Sequence, residues 1–248
     1  MNLLEWNLPR KEIVLANNEI HIWLCNLNMP NKNISNLEKI LSRKELDKAD
    51  KFHFTKDRNS FVISRASLKI ILSKYINVEP TAVNFVYNKY GKPFLDIKND
   101  TNISFNLSHS GNFCLIGITK NNKIGVDIEK INKDFSSLEI AKNYFSEKEY
   151  LALTKLPSNE RGKAFFYCWT RKEAFIKAEG KGLSIPLDSF DVTISEEEAK
   201  ITRITNKINI DDWKLYNIKV NDEYCAAIAL SGNIKNLIKT YVEDINLV

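Results

Sequence analysis

Residues 125–130 read Gly-Val-Asp-Ile-Glu-Lys, the pattern of a short strand whose alternate side chains point to opposite faces. Val126 and Ile128 share one face, where they can pack into a core. Asp127 and Glu129 share the other face, with their backbones roughly 6.5 to 7 Å apart. Both carboxylates can then reach one hard cation, and two carboxylates with substrate phosphates are a usual arrangement for Mg²⁺. The alternative is a solvated strand edge whose acidic side chains keep the sheet soluble.

A helical pattern at 159–179 carries the next group of polar residues and ends at Gly180. Trp169, Glu173 and Lys177 follow one another at intervals of four residues, so they line one face of this helix. Glu173 can supply a third carboxylate beside the strand, and Lys177 can supply a cation. The same two residues also have the spacing of an ordinary intrahelical ion pair, so both interpretations stay open.

The remaining elements form a doubled pattern along the chain. Strand patterns occupy 19–27, 84–87, 103–107, 113–119, 124–129, 190–194, 213–220 and 224–230. Helices are expected after capping boxes at Ser42, Ser136 and Ser146, and at 57–75 and 159–179. Residues 120–123 are expected to close a hairpin between their two flanking strands. The order strand, helices, strands therefore occurs twice, which predicts an N-terminal half at 1–122 packed closely on a C-terminal half at 123–248 that carries the acidic residues.

Composition excludes several classes of protein. With 248 residues, of which 44% are hydrophobic and 27% charged, the chain can bury a sizeable core. The net charge of +5 suits phosphate-bearing or acidic partners but is too small to indicate nucleic acid. Neither a membrane-spanning apolar run nor a signal-peptide pattern occurs, so we expect a cytoplasmic protein without a membrane partner. The four cysteines are far apart and predict buried thiols, with neither a zinc site nor a disulfide framework.

The segment Leu107-Ser108-His109-Ser110-Gly111 lies between two strand patterns, which predicts a loop of small residues. Such a loop can bring hydroxyls, backbone N–H groups and an imidazole to a phosphate, although a plain turn is the alternative. His109 is the histidine that we expect to be functional, whereas His21 and His53 are expected in structural positions. Tyr90-Gly91-Lys92-Pro93 by itself predicts a turn with an exposed lysine.

Several motifs occur together in one order and spacing. They are Tyr-Gly-Lys-Pro at 90–93, Asn-Leu-Ser-His-Ser-Gly at 106–111, Gly-Val-Asp-Ile-Glu-Lys at 125–130, Phe-Ser at 145–146, and Trp-Thr-Arg-Lys-Glu-Ala-Phe-Ile-Lys-Ala-Glu-Gly-Lys-Gly-Leu at 169–183. Over most of its length the chain resembles the 4′-phosphopantetheinyl transferases of the surfactin-activating (Sfp) type. The resemblance implies a pseudo-twofold α+β fold of two similar halves, each a small antiparallel sheet with a long helix packed on it. It also implies a coenzyme A site in the cleft between the halves.

The same resemblance implies a reaction. The phosphopantetheine arm of coenzyme A would move to a serine of an apo carrier protein, with release of adenosine 3′,5′-bisphosphate. Asp127, Glu129 and Glu173 correspond to the residues that bind Mg²⁺, for which Mn²⁺ is an alternative, together with pyrophosphate oxygens. Glu173 is instead, or also, the base that accepts the serine proton. Lys177 corresponds to a pyrophosphate contact that holds the departing phosphate, so Glu173 and Lys177 are the implied catalytic residues.

The resemblance also places coenzyme A contacts on a group of basic and hydroxyl side chains, namely Ser108, His109, Lys92 and Lys48. Lys48 corresponds to one of two lysines that hold the 3′-phosphate in some members of the family. Glu45 occupies the second of these positions, so part of that contact needs a replacement. Arg58 and Arg65, both on the helix at 57–75, are the candidates for it.

The carrier protein is expected to dock near residues 136–157, through the apolar side chains of Phe135, Leu138, Tyr144, Phe145 and Leu156. The implied partners are peptidyl or acyl carriers, such as those of nonribosomal peptide and polyketide synthesis, and a cleft built within one chain predicts a monomer. Two other functions stay open. One is a Mg²⁺-dependent phosphohydrolase, since carboxylates and lysines also suit phosphoryl transfer to water. The other is a carrier or nucleotide binding module without catalysis.

Overall fold

The structure, a computed structural model, describes residues 6–10, 12–96, 102–132, 137–205 and 208–248. Its α-helices are α1 (Asn31–Glu38), α2 (Arg43–Ala49), α3 (Thr55–Ile76), α4 (Ser137–Tyr144), α5 (Glu147–Lys155) and α6 (Ser158–Glu179). Its strands are β1 (Glu19–Asn26), β2 (Phe85–Tyr87), β3 (Pro93–Leu95), β4 (Ile103–Ser110), β5 (Phe113–Lys120), β6 (Ile124–Lys130), β7 (Phe190–Val192), β8 (Ile201–Ile204), β9 (Trp213–Asn217), β10 (Tyr224–Ser231) and β11 (Asn236–Val242). No helix in these ranges is both long and apolar enough to cross a membrane.

Two sheets form the centre of the protein. The first has the strand order β11-β1-β5-β4, and the second has the order β6-β10-β9. Every pairing within them is antiparallel except that of β1 with β11. The short ribbons β2–β3 and β7–β8 lie outside these sheets. Together with the helices they confirm the predicted α+β class.

Strand alternation sorts the buried side chains into layers. On β1, Trp23 and Cys25 pack with α3, whereas Ile22 and Leu24 pack against the second sheet. The second sheet packs its other face on α6. The layers therefore run α3, first sheet, second sheet, α6, and each of the two outer helices has 22 residues. Both long helices were predicted from the sequence.

The position of β6 in these layers orients the acidic residues. Val126 and Ile128 are fully buried in the core between the two sheets, as predicted. Because successive side chains of a strand alternate, Asp127 and Glu129 project from the opposite face, where α6 packs. The alternation in the sequence thus correctly predicted which face the carboxylates share.

Local signals fixed several helix ends. Capping boxes begin α2 at Ser42 and α5 at Ser146, as predicted. The capping box predicted at Ser136 lies outside the described residues. Gly180 ends α6 with a φ of +70°, a backbone conformation that favours glycine.

The connection at 120–123 is not the predicted hairpin. Asn121 does adopt a positive φ of 62°, as expected for a tight turn. However, β5 pairs with β1 and β4 in the first sheet, while β6 pairs with β10 in the second. The chain crosses between sheets here because both strands are buried on two faces and need a second sheet to cover them.

The C-terminal strand β11 was not predicted. It pairs parallel with β1, so a segment from the end of the chain completes the first sheet. That sheet is therefore mixed rather than purely antiparallel, in contrast to the expectation for each half. Parallel pairing needs a long crossover, which local periodicity does not indicate. The division into halves at residue 122 stays a prediction.

Candidate active site

The site forms where α6 packs closely on β6. Gly125 permits this contact, because a Cβ at its position would collide with the backbone of α6. Residue 125 lies on the same face of β6 as Asp127 and Glu129. The close approach therefore brings Glu173 and Lys177, one turn apart on α6, to the same cavity as the two strand carboxylates.

Asp127 is the centre of the hydrogen-bond network, with only 2% of its surface exposed. Its Oδ1 accepts hydrogen bonds from Nζ of Lys177 at 2.5 Å and from Oγ of Ser108 at 2.8 Å. Its Oδ2 is buried and has no hydrogen-bond partner. Because an unsatisfied buried acceptor is costly, Oδ2 is the atom at which a cation or a ligand donor would bind.

Two further carboxylates share this negative environment. Glu129 accepts a hydrogen bond from Oγ of Ser110 at 2.9 Å. Burial raises the pKa of Glu129 to about 7, and the charge of Asp127 adds to the rise. Burial also raises the pKa of Glu173, although Lys177 opposes that rise. The three carboxylates outnumber the one ammonium beside them, so the site favours an added cation.

These side chains fit a divalent cation that takes some of its ligands from the protein and the others from a bound substrate. Within the described residues, no group of three or more His, Cys, Asp or Glu side chains converges as a set of metal ligands. Mg²⁺ does not need such a set, because it commonly binds one or two carboxylates and takes its other oxygens from water and phosphate. The orphaned Oδ2 of Asp127, with Glu129 and Glu173 on the same cavity wall, meets that need.

The prediction of a loop at Ser108 and His109 is wrong, since both residues lie in β4. The strand continues to Ser110 and turns only at Gly111, which has a φ of +57°. The run of small residues does not break the strand, because β4 pairs antiparallel with β5 as far as Ser110 and Phe113, which leaves only Gly111 and Asn112 for the turn. Ser108 nevertheless contacts Asp127, and His109 lines the cavity.

Side chains, rather than a backbone ladder, join β4 to β6. Oδ1 of Asn106 accepts a hydrogen bond from the backbone N of Val126 at 2.8 Å, and Oγ of Ser110 accepts one from the backbone N of Lys130 at 3.0 Å. With Ser108 between them, alternate positions of β4 attach the first sheet to the strand that carries the carboxylates. Asn106 and Ser110 belong to the quoted motif at 106–111 but were not predicted as site residues, although the alternation of polar residues was an available signal.

One cavity of about 580 Å³ contains nearly all of the predicted site, and this is a usual size for a small-molecule site. It is lined by every predicted site residue except Lys92 and the candidate Arg58, namely by Lys48, Arg65, Ser108, His109, Asp127, Glu129, Glu173 and Lys177. Trp169, which was predicted to share a face of α6 with Glu173 and Lys177, lines it too. Phe52, Phe61 and Tyr87 add aromatic wall that the sequence did not indicate.

Arg65 is held at the cavity wall by an acidic residue behind it. Its Nε lies 3.0 Å from Oε1 of Glu45, and its Nη2 donates to the hydroxyl of Tyr87 at 2.5 Å. The guanidinium also stacks over the ring of Phe85 at 4.9 Å. Glu45 is buried, so this chain places a carboxylate beside Arg65 that orients the guanidinium.

Neither Arg58 nor Lys92 lines this cavity. Arg58, the other candidate for the 3′-phosphate, forms ion pairs with Glu38 and Asp50 on its own side of α3. The ammonium of Lys92 is bonded to backbone carbonyls where α6 meets β6. The structure therefore brings Arg65, but neither of these two, to the predicted ligand site.

Comparisons with known proteins identify a family for this chain. A family model described as "4'-phosphopantetheinyl transferase, N-terminal" matches residues 29–121, and one described as "4'-phosphopantetheinyl transferase superfamily" matches 123–229. The 4′-phosphopantetheinyl transferase HetI of Nostoc sp. is 33% identical over 229 residues, which cover 92% of this chain and 94% of that protein. This chain belongs to the 4′-phosphopantetheinyl transferase family.

Other members of the 4′-phosphopantetheinyl transferase family are similar over shorter stretches. The transferase Sfp of Bacillus subtilis is 34% identical over 157 residues, covering 63% of this chain and 68% of that protein. The transferase gsp of Aneurinibacillus migulanus is 31% identical over 183 residues, covering 73% of each. The resemblance read from the motifs and the expected enzyme class, a transferase, are thereby confirmed.

Proposed function

We propose that this chain transfers the 4′-phosphopantetheine arm of coenzyme A to a serine of an apo carrier protein and releases adenosine 3′,5′-bisphosphate. The observation that carries the proposal is the single cavity that joins three carboxylates and Lys177 to Lys48 and Arg65. Its acidic wall suits a metal-bound pyrophosphate, and its basic side chains suit the remaining phosphate.

The cation is the first part of the proposal. Asp127, Glu129 and Glu173 would hold Mg²⁺, or Mn²⁺ in its place. A divalent cation there would neutralise pyrophosphate charge as it develops during transfer. Glu129, with its raised pKa of about 7, would exchange its proton for the cation near neutral pH.

The chain's own side chains would carry out the transfer. The serine oxygen forms a bond to the phosphorus that bears the pantetheine arm, and the bond from that phosphorus to the bridging oxygen of the nucleotide breaks. Glu173 lies on the cavity wall and would accept the serine proton, while Lys177 would hold the phosphate that departs. The hydroxyl of Ser108 accepts a hydrogen bond from Lys177 and donates one to Asp127, so it would keep these two side chains aligned.

Lys177→Ala is expected to lower kcat about a hundredfold, because it removes a positive charge that acts where negative charge develops in the transition state. The KM for the carrier is expected to change less than about threefold, because the ammonium lies within the cavity. Steady-state kinetics of both quantities checks this. Lys163→Ala is a matched control on the same helix, since Lys163 pairs with exposed Glu196 outside the cavity. An unchanged kcat in Lys177→Ala would contradict the assignment.

Arg65→Gln is expected to raise the KM for coenzyme A at least about tenfold, because a charge-assisted hydrogen bond to phosphate contributes about 1.5 to 3 kcal/mol. The KM for 3′-dephospho-coenzyme A is expected to change little, since that analogue lacks the phosphate in question. Arg58→Gln is the matched control on the same helix, because its ion pairs lie outside the cavity. Equal losses with both substrates would contradict a 3′-phosphate contact.

The carrier is proposed to dock beside α4 and α5. Of the apolar residues predicted for this contact, Tyr144 is exposed, while Leu138 and Leu156 are half-buried and Phe145 is in the core. Phe135 lies outside the described residues. Tyr144 is therefore the strongest of the predicted contacts. A peptidyl or acyl carrier, a monomeric enzyme and a cytoplasmic location belong to the same proposal.

The experiment that tests the function is intact mass spectrometry of apo peptidyl and acyl carrier proteins after incubation with this chain, coenzyme A and Mg²⁺. The expected result is a phosphopantetheine mass gain on a carrier serine that a chelator abolishes. Hydrolysis of coenzyme A without any carrier would instead indicate a phosphohydrolase. Binding of coenzyme A or carrier without either reaction would indicate a binding module.

A further inference from the structure

The ammonium of Lys92 donates three hydrogen bonds to backbone carbonyl oxygens. Its Nζ donates to the carbonyl oxygens of Lys177 at 2.7 Å, Ala178 at 2.9 Å and Ile124 at 3.2 Å. An ammonium has three N–H donors, so none is left for a ligand phosphate. Two of these carbonyls belong to the last turn of α6, and the third belongs to the first residue of β6.

The turn that carries Lys92 makes a second contact with the same helix end. Nδ2 of Asn88 donates to the carbonyl oxygen of Gly180 at 2.7 Å. Oδ1 of Asn88 accepts hydrogen bonds from the backbone N of Tyr90 at 2.9 Å and of Lys92 at 3.0 Å, which fixes the turn. A Cβ at residue 180 would lie 2.8 Å from Cδ of Lys92, so the lysine packs directly over this glycine.

The chemistry of a helix end explains why a lysine is placed there. The last four carbonyls of an α-helix have no partner within the helix, and they form the negative end of its dipole. A cation that binds two of them and also binds β6 joins the helix to the strand at one point. That point lies at Lys177 on α6 and three positions before Asp127 on β6.

We propose that Lys92, with Asn88, is a clamp that fixes the end of α6 on β6 and thereby sets the distance between Lys177 and Asp127. Lys92 is then a positioning residue and not a ligand contact, in contrast to the expectation from the family motif. Its effect on catalysis rests on the proposed transferase function. The clamp itself, as a contact between the turn at 88–92 and α6, does not.

Lys92→Met tests the clamp, because it keeps the length of the side chain and removes its donors. We expect kcat to fall between about tenfold and a hundredfold, the effect of a small displacement of reacting groups, with the dissociation constant for coenzyme A changed less than about twofold. Hydrogen–deuterium exchange is expected to accelerate at the end of α6 and the residues after it. Lys89→Met is the matched control, because Lys89 is exposed on the same turn and its ammonium lies over Tyr90.

Asn88→Ala removes the other half of the clamp and is expected to change kcat and exchange in the same direction, so the test does not depend on the folding of one variant. A dissociation constant for coenzyme A raised at least tenfold in Lys92→Met, with kcat and exchange unchanged, would overturn the proposal in favour of a ligand contact. Unchanged exchange in both variants would also overturn it. If the unaltered protein transferred nothing, the proposed function would be overturned. Hydrogen–deuterium exchange of the variants and the unaltered protein would still test whether the clamp exists.

Discussion

Asp127→Asn is expected to lower kcat/KM about a thousandfold, which corresponds to about 4 kcal/mol of lost transition-state stabilisation. Oδ1 of Asp127 accepts hydrogen bonds from Lys177 and Ser108, whereas its Oδ2 is buried and has no hydrogen-bond partner. Asparagine keeps the shape of the side chain, so the contacts with Lys177 and Ser108 can persist. It removes the negative charge, and a neutral amide is a much poorer ligand for a divalent cation. The loss is therefore expected in catalysis and cation binding rather than in packing.

The measurements are the rate of holo-carrier formation, the melting temperature, and Mn²⁺ binding by calorimetry in the presence of coenzyme A. Asp191→Asn is the matched control, because Asp191 is an equally buried carboxylate that pairs with Arg203 away from the cavity. We expect that variant to lose thermal stability and to keep its kcat/KM within about twofold. Transfer activity retained in Asp127→Asn, or lost equally in both variants, would show that Asp127 is not a cation ligand.

Alternation and helical spacing predicted the centre of the site from the sequence. The period of two in residues 125–130 placed Val126 and Ile128 in the core and Asp127 and Glu129 toward α6. The interval of four residues placed Trp169, Glu173 and Lys177 on one face of that helix, and all three line the cavity. Local patterns succeeded here because each element presents its functional side chains opposite its own apolar residues.

Pairing between distant segments could not be predicted in the same way. The parallel strand β11 joins β1 across most of the chain, and β5 and β6 enter different sheets although only a short turn separates them. Ser108 and His109 were assigned to a loop because small polar residues favour turns, yet both residues pair with β5 in a backbone ladder that continues to Ser110. For β1 and for β6 the deciding partner, β11 or β10, lies far away in the sequence.

The binding partners of basic residues could not be predicted from the sequence either. Lys92, Arg58 and Arg65 were all reasonable phosphate contacts by residue type. In the structure, the ammonium of Lys92 donates hydrogen bonds to carbonyls at the end of α6, and Arg58 forms ion pairs with two acidic residues. Glu45 orients Arg65 toward the cavity. A cation binds whichever anion or carbonyl the fold places beside it, and the sequence does not give that neighbour.

Gly125→Ala is expected to lower the free energy of unfolding by about 3 kcal/mol, the upper end of the usual cost of overpacking, because the added Cβ meets backbone that no side-chain rotation can move. Thermal and urea unfolding measure this loss. Gly162→Ala is the matched control within α6, since a Cβ there has no neighbour within 4 Å, and it is expected to stabilise the helix by about 0.5 to 1 kcal/mol. An unchanged midpoint in Gly125→Ala would mean that α6 can move away without cost.

The same substitution is also expected to lower kcat/KM at least about tenfold in the protein that remains folded, since the helix can accept the methyl group only by moving away from β6. Residues 125, 127 and 129 share one face of the strand, so any displacement of α6 at Gly125 separates Glu173 and Lys177 from Asp127 and Glu129. Lysine and glutamate side chains are long enough to compensate for part of this movement, but an arrangement that must hold a cation and a proton acceptor tolerates little of it. The small residue that precedes the two carboxylates is therefore as much a condition of the chemistry as the carboxylates are, because it determines how closely the helix can bring their partners.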